Sequence, residues 1–277
     1  MVWTLALTNR FLEGDHRLRL FDSHCHLDDK SYRSDLETVL QRSREAGVVG
    51  FMVVGIDPRT AREAIRLADE EPGVFASVGI HPHDAARCSA AALSELTALA
   101  DHPKVRAWGE IGLDFNRMYS PRQDQERCFQ RQLDIAARLA LPMIFHERDS
   151  GGRFLEMLLA LQKPSLRGVV HCFSGNRREL EAYLELGLHI GITGIVTMQT
   201  RGKALRELVP LIPDDRLLVE TDAPYLTPLP ERNRHRRNEP AFVASVLHKV
   251  AEVRRTDPET MAEIVWANTC RLYGVEE

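Results

Sequence analysis

Eight short apolar runs, separated by segments of helical periodicity, limit what this chain can fold into more than any other feature. The runs are Leu18–His24, Val48–Gly55, Val74–Ile80, Val105–Glu110, Pro142–His146, Gly168–His171, His189–Ile195 and Leu217–Glu220. Runs of this length, bounded by turn residues, read as strands buried on both faces. In one intervening segment, Gln123 to Leu139, the residues Cys128, Phe129, Leu133, Ile135, Ala136 and Leu139 fall on a single helical stripe. Helix stops recur at Gly47, at Pro72-Gly73 and at Gly187. Strand and helix alternating eight times predict a (β/α)8 TIM barrel. A doubly wound open sheet is the alternative, but it would not bring strands one, four, five, six and eight to a common centre.

Chemistry-bearing residues close many of these runs. His24 and His26 end the first, Glu110 the fourth, His146 the fifth and His171 the sixth, and Asp222 follows the eighth. Strands of one parallel barrel present their C-terminal ends on the same face. Four imidazoles and two carboxylates are therefore expected at one mouth, enough to hold two divalent cations. His24 and His26 are two apart on a strand, so both rings point to one side. Glu110 has two oxygens with which to bridge two cations, and Asp222 could ligate or accept a proton from water. The alternative for each residue alone is a core imidazole or a structural ion pair. Burying all six together without metal or substrate would be costly.

The 277 residues suit one barrel, and no apolar stretch is long enough to span a bilayer. Two closing helices are expected over Ala241–Arg255 and Pro258–Tyr273. Residues 18–277 therefore read as a single domain, and residues 1–17 as an N-terminal extension without the charged start or cleavage site of a secretory signal. Five cysteines, an odd number with no CxxC pair, point to a reducing compartment, and a cytoplasmic protein is expected. Cys25 and Cys172 adjoin proposed ligands and are expected to face away into packing. A net charge of -4 argues against coating by bulk nucleic acid but leaves room for a locally basic site.

The segments DSHCHLD, GIHPHD, GEIGLDF, HERD, HCFSG, ETDAPYL and RRNEPA, in that order, resemble the TatD family of metal-dependent nucleases. The resemblance runs from Phe21 nearly to the C-terminus; the extension before Leu18 lies outside the family pattern. It implies an amidohydrolase-like barrel with two metal sites. His24, His26, Glu110 and Asp222 would hold one cation, and Glu110, His146 and His171 the other. Some family members lack the first-strand H-x-H pair, which is complete here. The resemblance implies magnesium, whereas mixed imidazole and carboxylate ligation suits zinc or manganese, with iron and cobalt also compatible.

The implied activity is hydrolysis of DNA by metal-activated water, as a 3′–5′ exonuclease on single strands, with RNA as an alternative substrate. Asp222 would be the base. Arg148, two residues beyond His146, is a candidate phosphate clamp, the alternative being an ion pair with Asp149. His81 could donate a hydrogen bond to phosphate or a proton to the leaving group, or be structural; His83 is a weaker candidate. Ser174 and Gly175 could meet phosphate oxygens or simply form a turn. The stretch Pro224 to Pro240 is expected over the mouth, its Arg232, Arg234, Arg236 and Arg237 facing phosphates. Asn238 is placed with Arg237 at the substrate, Glu239 is expected to pair with an arginine, and Tyr225 could stack on a base. No membrane contact or obligate protein partner is expected, and the chain reads as a monomer. Competing readings are an aminoacyl-tRNA deacylase, an amidohydrolase or lactonase, and a metal-binding protein without turnover.

Overall fold

The structure is a computed structural model that describes residues 18–161 and 166–276; the proposed N-terminal extension lies outside the described residues. Eight parallel strands follow one another around a barrel in chain order. They are β1 (Leu20–Cys25), β2 (Val48–Val54), β3 (Val74–Val78), β4 (Val105–Asp114), β5 (Met143–Arg148), β6 (Gly168–Val170), β7 (His189–Ile192) and β8 (Leu217–Val219). The intervening helices are α1 (Leu36–Glu45), α2 (Pro58–Glu70), α3 (Ala90–Leu99), α4 (Arg122–Leu139), α5 (Arg153–Leu159), α6 (Arg177–Glu185) and α7 (Lys203–Leu208). Helices α8 (Val243–Arg254) and α9 (Pro258–Tyr273) complete the chain. The eight apolar runs are thus the eight strands, and the stripe on α4 is buried apart from Leu139 at its end.

Local chemistry explains the element boundaries. Asp57 caps α2 through a capping box with Thr60, and Asn176 caps α6 through one with Glu179. Gly47 ends the turn after α1 with φ +85°, and a Cβ there would lie 2.2 Å from the Leu18 carbonyl oxygen. Only glycine, lacking a Cβ, tolerates that backbone together with so close an approach.

The barrel closes through side chains as much as backbone. Between β8 and β1 there is one isolated parallel bridge, Cys25 with Ala223. Around it Asp222 N–H donates to the His24 carbonyl at 2.9 Å, and His26 N–H to the Ala223 carbonyl at 2.8 Å. The buried Asp22 carboxylate accepts from Thr221 N–H at 2.9 Å and from the Thr221 hydroxyl. This seam sets the His24 and His26 pair beside Asp222.

Most strand residues are buried on both faces, as a parallel sheet covered by helices requires. Phe129 of α4 stacks on Phe154 of α5, with ring centroids 5.3 Å apart, and meets Phe145 of β5 edge-on. Inside the barrel Phe21, Met52, Val54, Ala107, Ile144 and Leu218 form a second apolar layer. Trp266 and Tyr273 of α9 pack on Phe21, with centroids 5.9 and 6.3 Å away.

Strand β4 departs from expectation. It runs four residues beyond Glu110, to Asp114, and its pairing with β5 shifts register between Trp108 and Ile111. Glu110 therefore sits in a bulge inside a longer strand, where an irregular ladder can turn its side chain inward. Beyond the bulge Gly112 has φ +145°, and a Cβ there would fall 1.9 Å from the His146 carbonyl oxygen. Close contact of β4 with the His146 segment depends on that missing side chain. Strand β7 stops at Ile192, short of Ile195, and α8 begins at Val243 after a short turn over Pro240–Phe242.

Candidate metal centre

The C-terminal mouth gathers His24, His26, Glu110, His146, His171 and Asp222 around one buried space. Glu110 is central. Its Oε1 lies 2.7 Å from His146 Nδ1, 3.1 Å from His171 Nε2 and 3.4 Å from His81 Nε2, and its Oε2 lies 3.5 Å from His24 Nε2. Asp222 Oδ1 stands 3.4 Å from His26 Nε2 and 3.7 Å from His24 Nε2. The Nε2 atoms of His24 and His26 are 3.3 Å apart, as two residues on one side of a strand permit. Asp222 and Cys172 take left-handed backbone, φ 56° and 48°, which bends the chain just past β8 and β6. Such φ values in non-glycine residues carry strain and cluster at functional sites.

Among the described residues four groups of ligand atoms lie close enough to share an ion: the two expected, His24, His26 and Asp222, and Glu110, His146 and His171, together with His81, His83 and His146, and His24, His171 and Glu220. The donor set fits divalent cations. Several imidazole nitrogens and carboxylate oxygens face one another with few hydrogens to share, His24 presenting Nε2 to His26, Glu110 and Asp222. Mixed nitrogen and oxygen ligation of this kind suits first-row metals.

Electrostatics keep the carboxylates ionised. Burial opposes charge on Glu110, but the imidazoles of His171, His81 and His24 outweigh it and hold the carboxyl well below the ordinary range. Asp222 is likewise buried, and the hydrogen bond from His26 together with the charges of His171 and His24 lowers it. Burial moves His81 the other way, down to about 4, so its ring is neutral at physiological pH. His81 Nδ1 accepts the His83 N–H at 3.0 Å, which leaves its proton on Nε2, facing the cluster.

Three carboxylates behind the histidines are absent from the sequence reading. Asp114 Oδ2 lies 3.2 Å from His146 Nε2 and 2.8 Å from His83 Nε2. Glu220 Oε1 takes His171 Nδ1 at 3.2 Å and the Cys172 N–H at 2.6 Å. Asp22 holds the β8–β1 seam. Acceptors on the far nitrogen orient a ligating imidazole and fix its tautomer. Asp114, in GLDF, and Glu220, in ETD, stand four and two residues from Glu110 and Asp222, and a second carboxylate at an even spacing from a proposed ligand was the available signal.

The mouth opens into a cavity of about 840 Å³. Arg148, Ser174, Tyr225, His81 and His83 line it. Asp149 accepts from Asn116, and no Arg148–Asp149 ion pair forms among the described residues. Cys172 packs against the core as expected, its Sγ 3.6 Å from the Thr193 hydroxyl, but it also lines the cavity. Cys25 is buried, its thiol donating to the Met52 carbonyl.

The arginine-rich loop is placed differently from expectation. Arg237 binds Asp35 through Nη1 at 2.9 Å and Nη2 at 2.6 Å, and lies over the Tyr32 ring. Asn238 is fully buried, its amide donating to the Thr221 and Tyr225 carbonyls. Neither lines the mouth; both hold the loop that carries Tyr225. Glu239 accepts from Arg42 and Arg237, the arginine pairing expected of it. The cations at the mouth are instead Lys30, Arg33, Arg59, Arg117, Arg148 and Arg201, and none forms an ion pair among the described residues. Elsewhere arginines such as Arg42, Arg44, Arg153 and Arg254 are paired with carboxylates.

Known proteins match this chain in both sequence and fold. The family model described as TatD related DNase matches residues 21–274. A Salmonella typhimurium protein named 3'-5' ssDNA/RNA exonuclease TatD is 43% identical over 259 residues, 92% of this chain and 99% of its own. Its namesake from Erwinia billingiae is 44% identical over 258 residues, 92% of this chain and 98% of its own. Among solved structures, YJJV, a TatD homologue from Escherichia coli k12, superposes with a TM-score of 0.86 at 31% identity, covering 94% of this chain and 99% of its own. A TatD family hydrolase from Entamoeba histolytica gives 0.83 at 25% identity, covering 92% and 98%. With its barrel, its ordered motifs and these relatives all in agreement, the chain belongs to the TatD family of DNase-related hydrolases.

Proposed function

We propose that the protein is a metal-dependent hydrolase of phosphodiester bonds, acting as a 3′–5′ exonuclease on single-stranded DNA or RNA. The observation that carries this reading is the pairing of a buried histidine–carboxylate cluster with a mouth ringed by six cations that form no ion pair among the described residues, beside the carboxylates of Asp28, Asp29, Asp84 and Glu147. Such a ring suits a polyanionic strand, whereas a small neutral substrate would leave it unused. Relatives that match nearly the whole chain carry the name 3'-5' ssDNA/RNA exonuclease TatD.

His24, His26, Glu110 and Asp222 would hold one cation, and Glu110, His146 and His171 a second, Glu110 bridging through its two oxygens. Magnesium follows from the family resemblance, and zinc or manganese from the donor chemistry. When bound, the cations supply positive charge to phosphate oxygens and make water more acidic. Asp222, ionised and partly open to the cavity, accepts the proton of the attacking water. Arg148 clamps phosphate with its planar donor fork. His81 donates from Nε2 to a phosphate or leaving oxygen, and Ser174 offers a hydroxyl. Five free cysteines fit a reducing, cytoplasmic setting, and the chain is read as a monomer built on residues 18–277.

Purified protein, stripped and reloaded with magnesium, manganese or zinc, is given end-labelled single-stranded and duplex DNA, single-stranded RNA and aminoacyl-tRNA. A ladder shortening from the 3′ end is expected. Deacylation of tRNA with intact oligonucleotides would overturn the reading in favour of the deacylase. Glu110→Ala should cut turnover by about 100-fold or more, because it removes a ligand from both proposed cation sites, and loss of an outer-shell partner alone costs up to that much. Full activity in that variant would reject its bridging role.

A further inference from the structure

Two large and unusually exposed side chains stand on opposite rims of the mouth. Tyr119 is 67% exposed and lies between β4 and α4; Tyr225 is 55% exposed and follows β8. The strands run around the barrel in order, so β4 and β8 are diametrically opposed. Each ring meets a histidine at a steep angle. Tyr119 lies 4.7 Å from His83 at 80°, and Tyr225 lies 6.0 Å from His26 at 66°. Both line the cavity, and neither hydroxyl has a hydrogen-bond partner among the described residues. An aromatic ring left in water forgoes the burial that normally stabilises it, so packing does not account for either position.

We infer that Tyr119 and Tyr225 are paired base platforms, stacking on unpaired bases on either side of the phosphate held at the cluster. The inference rests on the nuclease reading and adds how the site would select single strands. Every base has a π-face, so stacking tolerates any sequence but needs that face free. In a duplex both faces are covered by neighbouring pairs, and reaching two opposed rings requires unstacking. Cations accompany each ring. Arg117 precedes Tyr119 by two residues and Arg148 ends the adjacent β5; Lys30 and Arg33 follow β1, the neighbour of β8. Stacking aromatics interleaved with backbone-binding cations are the usual means of holding a single strand.

The test uses the metal-loaded full chain and two 3′-end substrates: a normal single-stranded oligodeoxynucleotide, and the same strand with abasic residues at its last two positions. Tyr119→Ala and Tyr225→Ala should each raise KM for the normal strand by about 5- to 100-fold, the range of one lost base stack. On the abasic strand the same variants should match wild type, and Tyr119→Phe and Tyr225→Phe should restore the normal KM. Equal KM increases on both strands, failure of phenylalanine to rescue, or no effect of alanine on either strand would overturn the inference. Fluorescence anisotropy with the same strands and a matching duplex reads binding without turnover. If wild type cleaves nothing, the nuclease reading fails, while the alanine effect on anisotropy still decides the platforms.

Discussion

Replacing Glu220 by glutamine separates a residue that positions the metal site from one that merely holds the barrel together. Glu220 is fully buried; one oxygen takes His171 Nδ1–H and the Cys172 N–H, and the other accepts the Ser23 hydroxyl at 3.3 Å. Glutamine keeps the length and planar shape, so both donors to Oε1 still find an acceptor. What disappears is charge assistance. A hydrogen bond to a charged group contributes about 1 kcal/mol more than a neutral one, so two bonds lose about 2 kcal/mol. If most of that loss falls on how firmly His171 presents Nε2, metal affinity drops between about 10- and 100-fold, the range typical of outer-shell partners.

The metal-free protein should respond differently to the same change. Asp22 is pushed up to about 8, chiefly by burial, so it is protonated at neutral pH and neutralising Glu220 leaves no buried charge between the two without a partner. Glu220→Gln should therefore melt within about 1 kcal/mol of wild type without metal, the ordinary scale for a well-accommodated substitution. Competition with a chelator for zinc and for manganese measures affinity, and thermal denaturation of stripped protein measures the fold. Unchanged affinity for both metals would refute the argument. So would a stripped variant destabilised by more than about 3 kcal/mol, the mark of a broken buried network.

Two further perturbations probe the frame around the site. His189, on β7, is held down to about 4 by burial and by the charge of Arg216, so the folded protein keeps it neutral while the unfolded chain protonates near 6.5. The unfolded state then binds more protons between those values, and stability present above about 6.5 is lost as pH falls toward 4, by at most about 3 kcal/mol. His189→Gln should flatten that slope in urea titrations across the window; an unchanged slope would show that other groups carry it. Phe129→Ala removes the ring wedged between Phe154 and Phe145 and should cost about 3–5 kcal/mol by chemical denaturation. A cost below about 1 kcal/mol would mean that the α4–α5 layer closes over the gap.

The barrel was legible because its signals are local. Each apolar run is short and bounded, and the stripe on α4 repeats at helical spacing, so neither needed knowledge of a distant residue. The ligand candidates were legible for a related reason: polar residues that close buried strands stand out against their surroundings. The β4 bulge was hidden, since a register shift is a property of two strands and leaves no mark in one. It made Glu110 look like a strand terminus and concealed Asp114 beyond it. The arginine-rich loop misled because density of charge along a chain says nothing about where side chains are already paired. Arg237 is held by Asp35, two hundred residues earlier in the chain.

By itself the sequence determined the alternation of strand and helix, and with it the fact that residues closing several strands would share a face. Only the tertiary structure decided which groups stand behind that face. Glu220 behind His171, Asp114 behind His146, and Tyr119 across from Tyr225 are neighbours or opposites through barrel closure, strand register and one bulge. Those are relations among segments 30 to 200 residues apart. Periodicity is set by the covalent geometry of each short segment, whereas such meetings are set by how all eight strands pack, and no single segment encodes that.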